Sequence, residues 1–183
     1  KESKMSVIEK DSFNINDIPE EFIKRDGNIF FVSIGKIKEP MEGCACPMGV
    51  ISREFLEKIS LKEDEIILVD TEAGVEHFGR GIEKGIDTVI ALAEPYLDSI
   101  EVAEKAIELA QKMGKKVHFI LNKVPFEIES MVRENLQRKG LTVSGLIHFS
   151  PDIYKESISG KIPDNSAAFK EMERIIESIY AEV

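Results

Sequence analysis

Ile66-Ile67-Leu68-Val69-Asp70-Thr71-Glu72-Ala73-Gly74 is the stretch that decides the fold. An apolar run without a polar face predicts a strand buried on both sides, as in a parallel sheet, and here it ends in a carboxylate. Gly74, Gly79, Gly81 and Gly85 punctuate the loop that follows. Moving toward the carboxyl terminus, residues 88–93 read as a second buried strand. Residues 98–113 read as a helix with Ile100, Ala103, Ile107 and Ala110 on one face. Asp98 and Glu101 resemble a capping box, and Gly114 is the stop. Residues 117–121 form the next strand, 127–139 a helix closed by Gly140, and 142–149 a last strand interrupted by Gly145. A loop carrying Pro151, Asp152, Gly160 and Pro163 leads to a final helix, about 166–182, striped by Phe169, Met172, Ile176, Ile179 and Val183. Toward the amino terminus, residues 52–59 read as a helix, 35–49 as a Gly/Pro/Cys-rich loop and 29–34 as a strand. The first 28 residues are polar, with a docked segment or short helix near Pro19.

Strands alternating with amphipathic helices predict one α/β domain over residues 1–183, built on a mostly parallel, doubly wound sheet. Such sheets bind ligands beyond the carboxyl ends of their strands. The loops after Ile34, Val69, Ala93, Leu121 and Phe149 all occupy that position and are expected to face one crevice.

Composition narrows the function classes. The 183 residues are 43% hydrophobic and 32% charged, an ordinary balance for a folded soluble chain. Against 24 Lys and Arg stand 34 Asp and Glu, a net charge of −10, which opposes binding to a phosphate backbone and argues against a nucleic-acid partner. No apolar run approaches the roughly 18 residues a membrane helix needs. There is no signal-peptide pattern, and two cysteines do not make a secreted disulfide framework. A reducing, cytoplasmic compartment is expected. Glu171, Glu173, Glu177 and Glu182 make the final helix a poor match for anionic lipid.

Three motifs carry chemistry. Asp70, at a strand end, stands where phosphate-loop NTPases place a magnesium-associated carboxylate, and Gly74 would let a backbone N–H approach a γ-phosphate. The alternative is a strand-terminal Asp and a turn glycine. Asn122-Lys123 follows a strand, and an Asn amide can both donate to and accept from an adenine edge; an ordinary polar strand exit is the other reading. Cys44-Ala45-Cys46-Pro47 offers two thiols to one soft metal ion, with Pro47 suited to open a helix. Two sulfurs are half of a four-ligand site, so a twofold dimer sharing Cys44 and Cys46 completes it economically; two unpaired loop thiols are the alternative. His118 and His148 read as packed strand residues, and His77 lies in the glycine-dense loop. No Ser-His-Asp arrangement is visible. No G-x-x-x-x-G-K-[ST] phosphate loop occurs: Gly35-Lys36, Gly114-Lys115 and Gly160-Lys161 are not followed by Ser or Thr.

Gly43-Cys44-Ala45-Cys46-Pro47 together with Asp70-Thr71-Glu72-Ala73-Gly74-Val75-Glu76-His77-Phe78-Gly79-Arg80-Gly81 resembles the CooC family. These are nickel-insertion accessory ATPases for carbon monoxide dehydrogenase, within the MinD/ParA-like (SIMIBI) group of P-loop NTPases. Glu94-Pro95, Asn122-Lys123 and Pro151-Asp152 look like that family too, and the likeness runs from about residue 29 to the carboxyl terminus. The resemblance implies ATP or ADP with Mg²⁺ as cofactor. Asp70 would act with Mg²⁺ and the attacking water, and Gly74 would sense the γ-phosphate. Asn122-Lys123 and Pro151-Asp152 would hold the base. Cys44 and Cys46 would bind Ni²⁺, or Zn²⁺ as surrogate, at a homodimer interface that delivers metal to a nickel-dependent carbon monoxide dehydrogenase. Members of the family begin with a phosphate-loop strand. The expectation is therefore that the sequence, which starts Lys1-Glu2-Ser3-Lys4, is the carboxyl-terminal portion of a longer ATPase. Other readings are a MinD/ParA-like positioning ATPase, an iron–sulfur scaffold ATPase, whose cysteines are usually spaced C-x-x-C, and a non-enzymatic metal-binding or docking module.

Overall fold

The computed structural model describes residues 7–34, 46–71, 74–75, 78, 81–161 and 167–181. They belong to two compact units, residues 1–86 and 87–183.

The second unit is built on a three-stranded parallel sheet, β3-β4-β5, with β3 Thr88–Ala93, β4 Lys116–Val124 and β5 Gly145–His148. Helix α2, Leu97–Lys112, crosses from β3 to β4, and α3, Glu129–Arg138, from β4 to β5. Helix α4, Pro151–Ile158, and α5, Ala167–Tyr180, follow. In register, Ala91 pairs Phe119 and Leu121 pairs Leu146, so these side chains share one face. They pack with Ala103, Ile107 and Ala110 of α2 and Val132 and Leu136 of α3 into a buried core. Helix α5 packs against β5 from the opposite face, where a Cβ on Gly145 would stand 2.5 Å from Ile175 Cγ1. Helices on both faces of a parallel sheet are the α/β arrangement that the alternation predicts.

Gly145→Ala is expected to cost roughly 1–3 kcal/mol through overpacking. Ile175→Val opens space at that contact, so the double variant is expected to lose less than the two single losses summed. Urea midpoints of the four proteins measure this; strict additivity would mean that the two residues do not touch.

The first unit contains the hairpin β1, Ile23–Asp26, and β2, Ile29–Val32, closed by Gly27-Asn28 with Gly27 at φ 56°. Two short 3₁₀ turns, Ile15–Asp17 and Glu20–Phe22, flank Pro19. Helix α1, Cys46–Lys58, starts at the Cys-Pro step. Phe13 bridges Ile59 in parallel, and its ring meets Phe55 edge-on at 5.3 Å. The buried Glu54 carboxylate accepts the Val7 and Ile8 N–H groups at 2.9 Å, which satisfies the charge that burial would otherwise penalise.

Several sequence expectations are corrected. Residues 66–70 form no ladder: Ile66 and Leu68 are 65% and 86% exposed, and only Ile67 and Val69 are half-buried. An apolar run becomes a two-sided strand only when neighbouring strands satisfy its backbone, and none is paired with it among the described residues. β3 is buried on one face, through Ala91 and Ala93, while Ile90 and Leu92 remain exposed. The N-cap of α2 is Tyr96, not Asp98, and no side chain caps it. The last strand shortens to four residues. Pro151 and Asp152 begin a helix, not a loop. Ser150 accepts the Ile153 N–H at 3.4 Å and Pro151 occupies the first turn, a helix start that the Ser-Pro-Asp run encodes. On α5 the buried residues are Ala168 and Ile175, whereas Met172 and Ile176 lie on an exposed flank.

Candidate functional site

The carboxyl ends of β4 and β5 form the chemically richest place in the second unit. Between Leu121, opposite Leu146, and Val124, opposite His148, β4 has one residue more than β5. The surplus is a bulge at Asn122-Lys123, with Lys123 at φ 56°, the only non-glycine in the left-handed region among the described residues. A lysine there costs on the order of 1 kcal/mol. The Asn122 Oδ1 accepts the Lys123 N–H at 3.0 Å, which holds the turn. The bulge returns Val124 to the core, fully buried, and leaves Asn122 half-buried and Lys123 exposed at the strand end.

Neighbouring strand ends are tied to this turn. Lys123 Nζ lies 2.7 Å from Glu94 Oε1, linking the exits of β3 and β4. Both groups face solvent, so the pair orients the turn more than it stabilises the fold. Ser99 Oγ accepts the Glu94 N–H at 3.0 Å. The Phe149 N–H donates to the Val124 carbonyl at 3.0 Å, carrying the β4–β5 pairing to the start of α4, where Asp152 stands exposed in the first turn.

A charged cluster lies beneath these loops. His148 Nδ1 is 2.6 Å from Glu171 Oε1 of α5, and its Nε2 is 3.0 Å from Glu129 Oε2 of α3. The second Glu171 oxygen accepts the His148 backbone N–H at 2.8 Å. The Phe126 ring lies flat on the imidazole, with centroids 3.7 Å apart and planes 12° apart. Burial of the ring works against the charged imidazole, but hydrogen bonding to Glu171 and Glu129 outweighs it, and His148 titrates above its ordinary value. Glu129 is held below the usual carboxylate range by Arg133 first and His148 second.

The structure thus brings Asn122, Lys123, Pro151 and Asp152 to adjacent strand ends of one unit. Asp70 and Gly74 lie in the other. Asp70 is exposed, and Gly74 has φ 119°, a conformation that favours glycine. Cys46 is the first residue of α1. Cys44 and His77 fall outside the described residues, and among the described residues no group of three or more His, Cys, Asp or Glu is arranged to hold a metal ion. Of the described helices, none is long and apolar enough to cross a membrane. His118 is buried, as expected of a packed strand residue. Sequence reasoning gave Glu94 only as part of the family resemblance, without a role, and missed Phe126 and the carboxylates around His148. Glu129 and Glu171 lie 19 and 23 residues from His148, and no local pattern joins them.

No protein-family model matches the chain. It is 41% identical over 164 residues to an uncharacterized ATP-binding protein of Methanocaldococcus jannaschii, covering 90% of this chain and 64% of that protein. A second such protein from the same organism is 34% identical over 168 residues, covering 90% and 65%. The carbon monoxide dehydrogenase accessory protein CooC of Rhodospirillum rubrum is 34% identical over 116 residues, covering 63% of this chain and 44% of that one. The chain spans 64% and 65% of the length of the two Methanocaldococcus relatives and 44% of the Rhodospirillum one. Among solved structures, the MinD cell division protein of Aquifex aeolicus superposes with a TM-score of 0.47 at 17% identity, over 57% of this chain and 48% of that one.

Proposed function

We propose that this chain is the larger part of an ATP-dependent metallochaperone of the CooC type, a deviant P-loop NTPase whose phosphate loop lies outside residues 1–183. The observation that carries the nucleotide half is the strained Asn122-Lys123 bulge beside Pro151-Asp152, at the strand ends where α/β sheets bind ligands. The likeness to ATP-binding proteins and to a carbon monoxide dehydrogenase accessory protein supports the same reading.

In this reading Asn122 pairs with the adenine edge while Lys123, Pro151 and Asp152 shape the base pocket. Asp70 is an exposed carboxylate of the hard-oxygen kind that suits Mg²⁺, directly or through water. Held by Asp70, Mg²⁺ would supply neutralisation of the phosphate charge. Asp70 orients the attacking water, and Gly74, whose φ of 119° lets its backbone come close, reports the γ-phosphate. ATP draws two protomers together, and hydrolysis loosens them. Cys44 and Cys46 from each protomer hold the cargo ion, Ni²⁺ with Zn²⁺ as surrogate, between the subunits. The client is a nickel-dependent carbon monoxide dehydrogenase, and the setting is cytoplasmic.

Anaerobic titration of reduced protein with Ni²⁺, and separately Zn²⁺, read as metal per chain beside molar mass in solution, tests the cargo site. One ion per two chains is expected, with a monomer-to-dimer shift that a Cys44→Ser, Cys46→Ser variant loses. Tight binding unchanged in the variant, or no binding, would overturn the shared thiolate site.

A further inference from the structure

The cluster around His148 has a geometry that only one protonation state satisfies. Each ring nitrogen faces a carboxylate oxygen, at 2.6 Å and 3.0 Å, and a carboxylate is acceptor-only. A neutral imidazole carries one N–H, so one of the two contacts would set lone pair against lone pair. The imidazolium supplies both protons. Phe126, flat on the ring, adds a cation–π contact to the same state.

The position of the cluster gives it a consequence. His148 is the last residue of β5, two residues before the Ser150 cap of α4 and four before Asp152. Phe126 opens the 3₁₀ turn Phe126–Ile128 that follows the Asn122-Lys123 bulge, four residues after Asn122. Glu129 begins α3 and Glu171 lies on α5. One side chain therefore joins both loops assigned to the base to the two helices behind them.

We propose that His148 is a positioning residue for the nucleobase: its imidazolium, gripped by Glu129 and Glu171 and covered by Phe126, sets the Asn122–Phe126 and Phe149–Asp152 segments in the relation that accepts adenine. This rests on the nucleotide reading above and adds a pH response to it. The groups facing His148 are Glu171 from α5, Glu129 from α3 with Arg133 behind it, and the uncharged Val124 and Phe126 from the β4 side. The direction of the shift sets the window. His148 titrates above its ordinary value, so the clamp is complete below about 6.5 and is lost as pH rises through the raised folded value. Glu129 titrates below its ordinary value, so its side of the clamp persists until the pH falls well into the acid range.

The test uses the full-length protein, with ATP as ligand and tripolyphosphate as a base-free control, between about pH 5.5 and 9.5. Long-range ¹H–¹⁵N spectra of the imidazole are expected to show both ring nitrogens of His148 protonated at the acid end, with the second proton leaving above the ordinary histidine value. ATP affinity is expected to fall roughly three- to tenfold as His148 deprotonates, with tripolyphosphate affinity flat over the same step. His148→Gln should show the weakened ATP affinity already at the acid end and no further step. Glu171→Gln, which keeps the histidine and removes one carboxylate, should move the step to lower pH. A His148 that loses its second proton below the ordinary histidine value, or ATP binding indifferent to pH and unchanged in both variants, would overturn the inference while leaving the nucleotide reading standing. Absence of ATP binding at every pH would overturn that reading and this inference together.

Discussion

Asp70→Asn is expected to lower ATP turnover of the full-length protein by at least about 100-fold while changing ATP affinity by less than about threefold. Asn matches Asp in size and removes only the charge, so the segment leading to it should keep its conformation. Among the described residues the segment has no ladder partner, and its terminal carboxylate is exposed, so the change breaks no buried ion pair there. A loss confined to turnover is the signature of an interaction made in the transition state, here orientation of the attacking water and of the ion beside it. Steady-state phosphate release and equilibrium binding of a ribose-labelled ATP separate the two quantities. Turnover within threefold of the wild type would remove Asp70 from the catalytic assignment and leave it a plain exposed carboxylate.

Leu121→Ala is expected to destabilise the protein by about 3–4 kcal/mol, a large fraction of a typical domain's stability of about 5–15 kcal/mol. Leu121 is fully buried in the central strand, with neighbours from both flanking strands and from the helices over that face. The core there is lined by Ala91, Ala93, Ala103 and Ala110, short side chains that cannot swing in to refill a cavity. Leu92→Ala is the contrast. It removes the same group from the neighbouring strand at a side chain 58% exposed, and less than about 1 kcal/mol is expected. Urea unfolding gives both, and equal losses would contradict the one-sided burial of β3.

Much of the fold was legible because its determinants are local. The β-branched run at 88–93 and the 3.6-residue spacing of Ala103, Ile107 and Ala110 placed β3 and α2 to within about a residue. Gly114 and Gly140, at φ 71° and 75°, end α2 and α3 where glycine alone meets no Cβ penalty. The Gly27-Asn28 hairpin and the Ser150-Pro151 helix start are equally local, but their signal lies in turn chemistry and not in apolar periodicity.

The alternation of strands and helices, their stops, and the chemistry-bearing residues Asn122-Lys123, Pro151-Asp152, Asp70 and the Cys44–Cys46 pair are all legible in the local sequence. Tertiary structure decided which faces find cover. It left Leu68 and Leu92 exposed and turned Ala168 and Ile175 of α5 inward in place of Met172 and Ile176. It also decided that Glu129, His148 and Glu171 meet. Burial and hydrogen-bond pairing depend on neighbours distant in the chain, and an apolar pattern carries the need for a partner without naming it.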